Sequence, residues 1–123
     1  MARLFRVILP VSDIDNAANF YGKLLEQAGR RVSPGRHYFD CGGVILACFD
    51  LRREDGYDAK PNPEHIYFAV PDLPAVLDRA RSLNCREIDP EPMTRPWGET
   101  SFYFIDPFGN PICFVDEKTV FTG

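Results

Sequence analysis

Val11-Ser12-Asp13-Ile14 returns as Val70-Pro71-Asp72-Leu73, an offset of 59 from position 11 to position 70, and each copy closes an apolar run and opens a helix-like stretch. Further along, Phe39-Asp40-Cys41-Gly42-Gly43 and a strand ending at Asp50 return as Ile105-Asp106-Pro107-Phe108-Gly109 and a strand ending at Asp116, an offset of 66 from position 43 to position 109. Self-similarity on this scale implies two copies of one supersecondary unit sharing a fold. The two offsets set Arg6 opposite His65 and Ala47 opposite Cys113, which makes these four positions the first candidates for function.

Working outward, Leu4 to Val11 is apolar except for Arg6 and reads as a strand covered on both faces. Asp13 is a good N-cap, and Ala17, Ala18, Phe20, Tyr21, Leu24 and Leu25 recur at helical spacing, with Gly29 as the expected stop. Arg31 to Ser33 reads as a short strand, and Arg36 to Asp40 and Val44 to Asp50 as strands around a turn at Gly42-Gly43. Residues 52 to 64 carry charges, Gly56, Pro61 and Pro63 without periodicity and read as a connection. The second copy repeats the order: a strand over His65 to Val70, a helix capped by Asp72 and ending near Asn84, then strands over Glu87 to Pro92, Thr100 to Ile105 and Ile112 to Asp116. The expected organisation is one domain over residues 1–123, with module one at about 1–51, a connection at 52–63 and module two at about 64–118.

A chain of 123 residues, 45% apolar, has material for one shared core rather than two independent ones. A net charge of −4 leaves no basic footprint, so neither nucleic acid nor an anionic membrane is an expected partner. No apolar run is long enough to cross a bilayer, and a cytoplasmic location is the expectation. Cys41, Cys48, Cys85 and Cys113 form no C-x-x-C pair and read as reduced thiols. No glycine-rich phosphate loop precedes a helix, and no G-x-S-x-G or H-E-x-x-H motif occurs.

Val11-Ser12-Asp13, Phe20-Tyr21, His65-Ile66, Val70-Pro71-Asp72-Leu73, Pro96-Trp97-Gly98 and Asp106-Pro107-Phe108-Gly109-Asn110-Pro111-Ile112 together cover nearly the whole chain. In their order and spacing they resemble the vicinal oxygen chelate superfamily, the group of glyoxalase I, bleomycin-resistance proteins, fosfomycin-resistance transferases and extradiol dioxygenases. The resemblance implies an α+β fold of paired βαβββ modules, each a half-open barrel, that enclose a cleft, in a chain that pairs as a homodimer. It also implies where a metal would sit in metal-dependent members, at positions corresponding to Arg6, Ala47, His65 and Cys113. A divalent catalytic site needs about three protein ligands drawn from imidazole, carboxylate or thiolate. Arginine stays protonated and alanine has no donor, so only His65 and Cys113 remain, with His37 as a substitute if its strand register allows.

The expected function is therefore metal-independent binding or sequestration of a small aromatic or anionic molecule, with no cofactor. The alternatives are a metal-dependent lyase, isomerase or dioxygenase with an atypical ligand set on His65 and Cys113, and an interaction module without an open site. The expected ligand-binding residues are Arg6, Tyr38, Phe49, His65, Tyr67, Trp97, Phe104 and Cys113, with catalysis left open. Arg6 should meet either a carboxylate of its own chain or an anionic ligand, because an unpaired buried guanidinium is costly. His65 reads equally as a base, a ligand donor or a core histidine. Cys113 reads better as a core cysteine than as a nucleophile, while Trp97, the one tryptophan, sits in a loop where it can cover a flat ligand. The turn at Asp106–Asn110 is assigned a structural role.

Overall fold

The computed structural model describes residues 1–121. The fold is α+β, and the chain divides into two compact units that meet in sequence between Asn62 and Pro63. The first unit runs β1 (Arg6–Pro10), α1 (Ile14–Leu25), β2 (Arg30–Ser33), β3 (Arg36–Cys41), β4 (Val44–Phe49) and α2 (Leu51–Asp55). Its sheet has the order β1-β4-β3-β2, with β1 parallel to β4 and the rest antiparallel. The second unit runs β5 (Ile66–Val70), α3 (Leu73–Arg81), β6 (Glu87–Ile88), β7 (Met93–Thr94), β8 (Thr100–Ile105), β9 (Pro111–Asp116) and a 3-10 turn (Glu117–Thr119). Its sheet has the order β5-β9-β8-β6, with β7 also on β8, and β5 is again parallel to β9. Neither sheet closes on itself.

The repeated aspartates explain why the helices start where they do. Asp13 accepts from the Asn16 amide at 3.1 Å and Asp72 from the Ala75 amide at 3.2 Å, each satisfying an N–H that the first helical turn leaves unpaired. Asp50 and Asp116, matched by the second offset, each cap a helical turn just after a closing strand. The buried Asp50 accepts from Arg53 at the start of α2 and, through its other oxygen, from Ile14 at the start of α1. Asp116 accepts from Lys118 in the 3-10 turn.

In each unit one face of the sheet is covered by its helix, and the opposite, open face keeps exposed surface at Ile8 and Tyr67 while Ala47, Ser101, Cys113 and Val115 are buried on it. In the second unit, Phe68, Phe102 and Phe104 stack on Phe114 with ring centroids 5.0, 5.6 and 6.0 Å away, on the side where α3 buries Leu73, Val76, Leu77 and Ala80. In the first, Leu9, Phe39, Leu46 and Cys48 are buried on the side of α1. Strand alternation then sends Ile8, Tyr38 and Ala47 in one unit, and Tyr67, Tyr103 and Cys113 in the other, to the open face.

Several expectations are corrected. β1 is not covered on both faces: Arg6 is exposed and Ile8 keeps 45% of its surface, because β1 is an edge strand and α1 shields one face only. α1 stops at Leu25 rather than at Gly29, with Glu26 in the left-handed region at φ 54° and its N–H bonded to the Gly22 carbonyl. Gly29 is required for a different reason, since a Cβ there would lie 2.7 Å from both His37 Nε2 and Phe39 Cε1. The connection after Asp50 contains the short helix α2, closed by Gly56 at φ 78°. α3 stops at Arg81, three residues before Asn84. Of the strand expected over Glu87 to Pro92 only β6 (Glu87–Ile88) forms, and β7 (Met93–Thr94) begins beyond it, because Pro90 and Pro92 have no N–H to give a ladder.

The offset of 66 also fails inside the hairpin. Tyr38 pairs with Ala47 and Tyr103 with Cys113, so Tyr38 matches Tyr103 and Phe39 matches Phe104, not Ile105. The turn absorbs the difference: Cys41 to Val44 lie between the paired Asp40 and Ile45, while the one-residue-longer Asp106 to Asn110 lie between the paired Ile105 and Pro111.

Candidate functional site

On the open face of the first unit, the Arg6 guanidinium lies over the Tyr38 ring at 5.3 Å and over Phe5 at 5.0 Å. Ala47, the ladder partner of Tyr38 on β4, offers only a methyl group, so nothing bulky separates β1 from the tyrosine. Arg6 makes no ion pair among the described residues, so of its two expected partners a carboxylate of the chain is absent. It is exposed, and the π-face of a tyrosine attracts a guanidinium without dehydrating it fully. Phe49 lies on the same face under the Arg36 guanidinium, 4.7 Å from the ring centre, and Arg36 is tied in turn to Glu54. A hollow of about 510 Å³ is lined by Gln27, Gly29, Arg30, Val32, Tyr38, Asp40 and Ile45.

On the open face of the second unit, His65 packs against Tyr103 with ring centroids 4.7 Å apart and against Tyr67 at 6.2 Å. Arg95 lies over Tyr103 at 4.5 Å. Partial desolvation, then a hydrogen bond with the Tyr103 hydroxyl, hold the Tyr67 phenol above its usual range. A hollow of about 410 Å³ beside His65 is bordered by Glu87, Asp89, Tyr103 and Ile105. Cys113 is fully buried beneath this face, and burial pushes its thiol up to about 11, against a smaller downward pull from a hydrogen bond with Ser101. A thiol at that value is about a hundredfold poorer in thiolate at pH 8 than one at the ordinary value of 9.0, which removes Cys113 as a nucleophile near neutrality. Alkylation of the native protein at pH 8, read by peptide mass, is expected to leave Cys113 unmodified while denatured protein reacts; rapid native labelling of Cys113 would contradict this burial.

Phe104 borders the same hollow, yet its ring is 1% exposed and stacked on Phe114 on the helix-covered face. It belongs to the core, and the open-face position is held by its neighbour Tyr103. Trp97 is 51% exposed at the tip of the β7–β8 hairpin, where its Nε1 donates to Glu99 Oε1 at 2.8 Å. His37, weighed as a third metal ligand, faces α1 instead of the open face. Its Nε2 donates to the Ala28 carbonyl at 2.9 Å and its Nδ1 accepts from Arg31 Nε at 3.3 Å, so both ring nitrogens are engaged.

Sequence reasoning missed Tyr103 and Arg95. The signal for Tyr103 is strand alternation itself, once the longer turn is allowed for. Arg95 had no local signal, because its place depends on the broken edge of the sheet. There Asp89 Oδ2 accepts from the Tyr103 amide at 2.9 Å, and Arg95 donates to the Ser101 carbonyl at 3.3 Å, to Ser101 Oγ at 2.9 Å and to Asp89 Oδ2 at 3.4 Å. Two side chains thus take up ladder groups on β8 beside the prolines.

Compared with known families, residues 3–114 match the model of the Glyoxalase/Bleomycin resistance protein/Dioxygenase superfamily. The chain belongs to this superfamily. Solved structures agree in fold. A glyoxalase/bleomycin resistance protein from Albidiferax ferrireducens T118 superposes with a TM-score of 0.78 at 20% identity, over 94% of this chain and 98% of that one. A lactoylglutathione lyase from Agrobacterium tumefaciens gives 0.72 at 24% identity over 96% of both chains. An integron cassette protein from the mobile metagenome of V. cholerae gives 0.70 at 26% identity, over 94% of this chain and 95% of that one. No curated protein matches the chain significantly. No helix among the described residues is long and apolar enough to cross a membrane.

Metal-dependent members of the superfamily would draw ligands from the positions of Arg6, Ala47, His65 and Cys113. The residues present do not fit a divalent ion. Arginine cannot ligate, alanine has no donor, and His37 faces the helix with both ring nitrogens engaged, so these positions offer two donors, His65 and Cys113, where about three are needed. Among the described residues, no three His, Cys, Asp or Glu side chains come together in a way that could hold a metal.

Proposed function

We propose that this superfamily member is a metal-independent small-molecule binding protein that holds an aromatic or partly anionic compound on its open sheet faces. The observation that carries the reading is the aromatic group on the second unit, where His65 sits on Tyr103 with Tyr67 beside it and a hollow of about 410 Å³ opens alongside. Concave sites that take small ligands are lined largely by apolar and aromatic surface, with a few polar groups to fix orientation. On the second unit His65 supplies such a group while Tyr67 and Trp97 supply exposed ring surface, and on the first unit by itself Arg6 supplies one over Tyr38.

Two measurements test the reading together. Protein purified without chelator or an affinity metal is expected to contain no stoichiometric transition metal by elemental analysis. A metal at one per chain that is lost in His65→Ala would replace this reading with the metal-dependent enzyme. Titration with neutral and anionic aromatic compounds, monitored by the fluorescence of the single Trp97 and by thermal shift, is expected to find binders whose affinity falls about tenfold in His65→Ala or Tyr67→Ala, the scale of one lost aromatic contact. A panel with no binder, or binding indifferent to both substitutions, would refute it.

A further inference from the structure

The two hollows occupy matching places in the repeat and differ in charge. Tyr38 in the first unit matches Tyr103 in the second, as their ladder partners Ala47 and Cys113 show. Across the ladder from Tyr38 stands Arg30, whereas across from Tyr103 stands Asp89, whose N–H bonds to the Tyr103 carbonyl. On the opening strands, Arg6 in the first unit corresponds to His65 in the second. The second hollow is walled by the carboxyl groups of Glu87 and Asp89, the latter paired with Arg95 over Tyr103, and the first by Arg30 and Asp40, with Arg6 over Tyr38.

Arg6 and Arg30 carry no ion pair among the described residues, while Arg31, Arg36 and Arg52 are paired with Asp15, Glu54 and Asp58. The one carboxylate lining the first hollow, Asp40, is engaged by the turn, with its Oδ1 accepting from the Gly43 amide at 2.9 Å. Gln27 Nε2 is occupied by the Asp40 carbonyl at 2.9 Å. Val32 and Ile45 give the hollow apolar wall beside the cations.

We propose that this hollow of about 510 Å³ on the first unit binds a small organic anion, a carboxylate or phosphate carried on a flat apolar body, held by the guanidiniums of Arg30 and Arg6 about Tyr38. A guanidinium fork pairs two donors with either oxyanion, and the tyrosine ring and Val32 receive the apolar body. The proposal rests on the reading of the protein as a small-molecule binder and adds to it the charge of the ligand and the residue Arg30.

The probes are benzoate and phenyl phosphate, with benzamide as the neutral counterpart of benzoate, titrated into the full chain and monitored by backbone amide shifts in NMR. Benzoate or phenyl phosphate is expected to move amides among residues 27–45, and to bind at least about fivefold more tightly than benzamide. Whichever of the two anions binds more tightly identifies the charged end, and either result supports the site. Arg30→Gln is expected to weaken the anion about fivefold or more, with Arg30→Lys intermediate because it keeps the charge and loses the fork. Arg30 is exposed, so far-UV circular dichroism should be unchanged in both variants. If benzamide binds as well as benzoate, or if Arg30→Gln and Arg6→Gln both leave affinity unaltered, the anion site is wrong while small-molecule binding stands. Shifts confined to residues 87–105 would likewise overturn it and move binding to the second unit.

Discussion

Replacing Asp106 with alanine is expected to destabilise the protein by about 3 kcal/mol, read as a lower urea midpoint at an unchanged slope. Asp106 is fully buried, and its carboxylate accepts from the amides of Phe108 at 2.9 Å and Asn110 at 2.8 Å and from Asn110 Nδ2 at 3.1 Å. Alanine would leave three buried N–H groups without their acceptor, and leaving donors unmet costs more than the net worth of the bonds. Asp40, which the sequence pairs with Asp106 as a turn residue, provides the control. It is exposed and its Oδ1 accepts from a single amide, so Asp40→Ala should cost about 1 kcal/mol or less. Equal losses in the two variants would show that burial of the Asp106 carboxylate is not what fixes the longer turn.

Phe114→Ala should cost about 4 kcal/mol, the larger of the two effects. Its ring is the one that Phe68, Phe102 and Phe104 all stack against, on the face covered by α3. Truncation removes a whole ring from a layer in which every neighbour is itself a rigid plane, so collapse cannot fill the space well. Tyr67→Ala on the opposite face, 56% exposed, should cost no more than about 1 kcal/mol in the same thermal or urea unfolding experiment. A loss below about 1.5 kcal/mol for Phe114→Ala would mean that the four rings do not form the unit's core.

The order of elements was legible because the repeated aspartates are physical devices. Asp13 and Asp72 start helices, and Asp50 and Asp116 close strands by capping the helical turn that comes next. Strand alternation alone separates Phe102 and Phe104 from Tyr103. The candidate site was less legible. A constant offset carried through the second hairpin hides a one-residue difference in turn length, and one residue is the distance between a ring on the open face and a ring in the core. Carried through to Tyr38, the offset would set the core ring Phe104 in the place that Tyr103 holds. The exposure of Arg6 was hidden for another reason: an apolar run does not say whether its strand lies at a sheet edge or at the centre, and β1 is an edge. Arg95 and Arg30 take their meaning from ladder partners that no local pattern reveals.

The broken strand beside β8 has a bearing on how this protein behaves when crowded. A continuous edge is a template on which a stray chain can add another strand, and proteins that keep such edges bare tend to aggregate. Here Pro90 and Pro92 interrupt the edge, Asp89 takes the Tyr103 amide, and the Arg95 guanidinium takes the Ser101 carbonyl. An arriving strand would find these backbone groups engaged and a fixed charge in its path. The prolines that divide β6 from β7 thus act as a guard against runaway sheet growth, placed beside the same tyrosine that carries His65 and Arg95 on the open face.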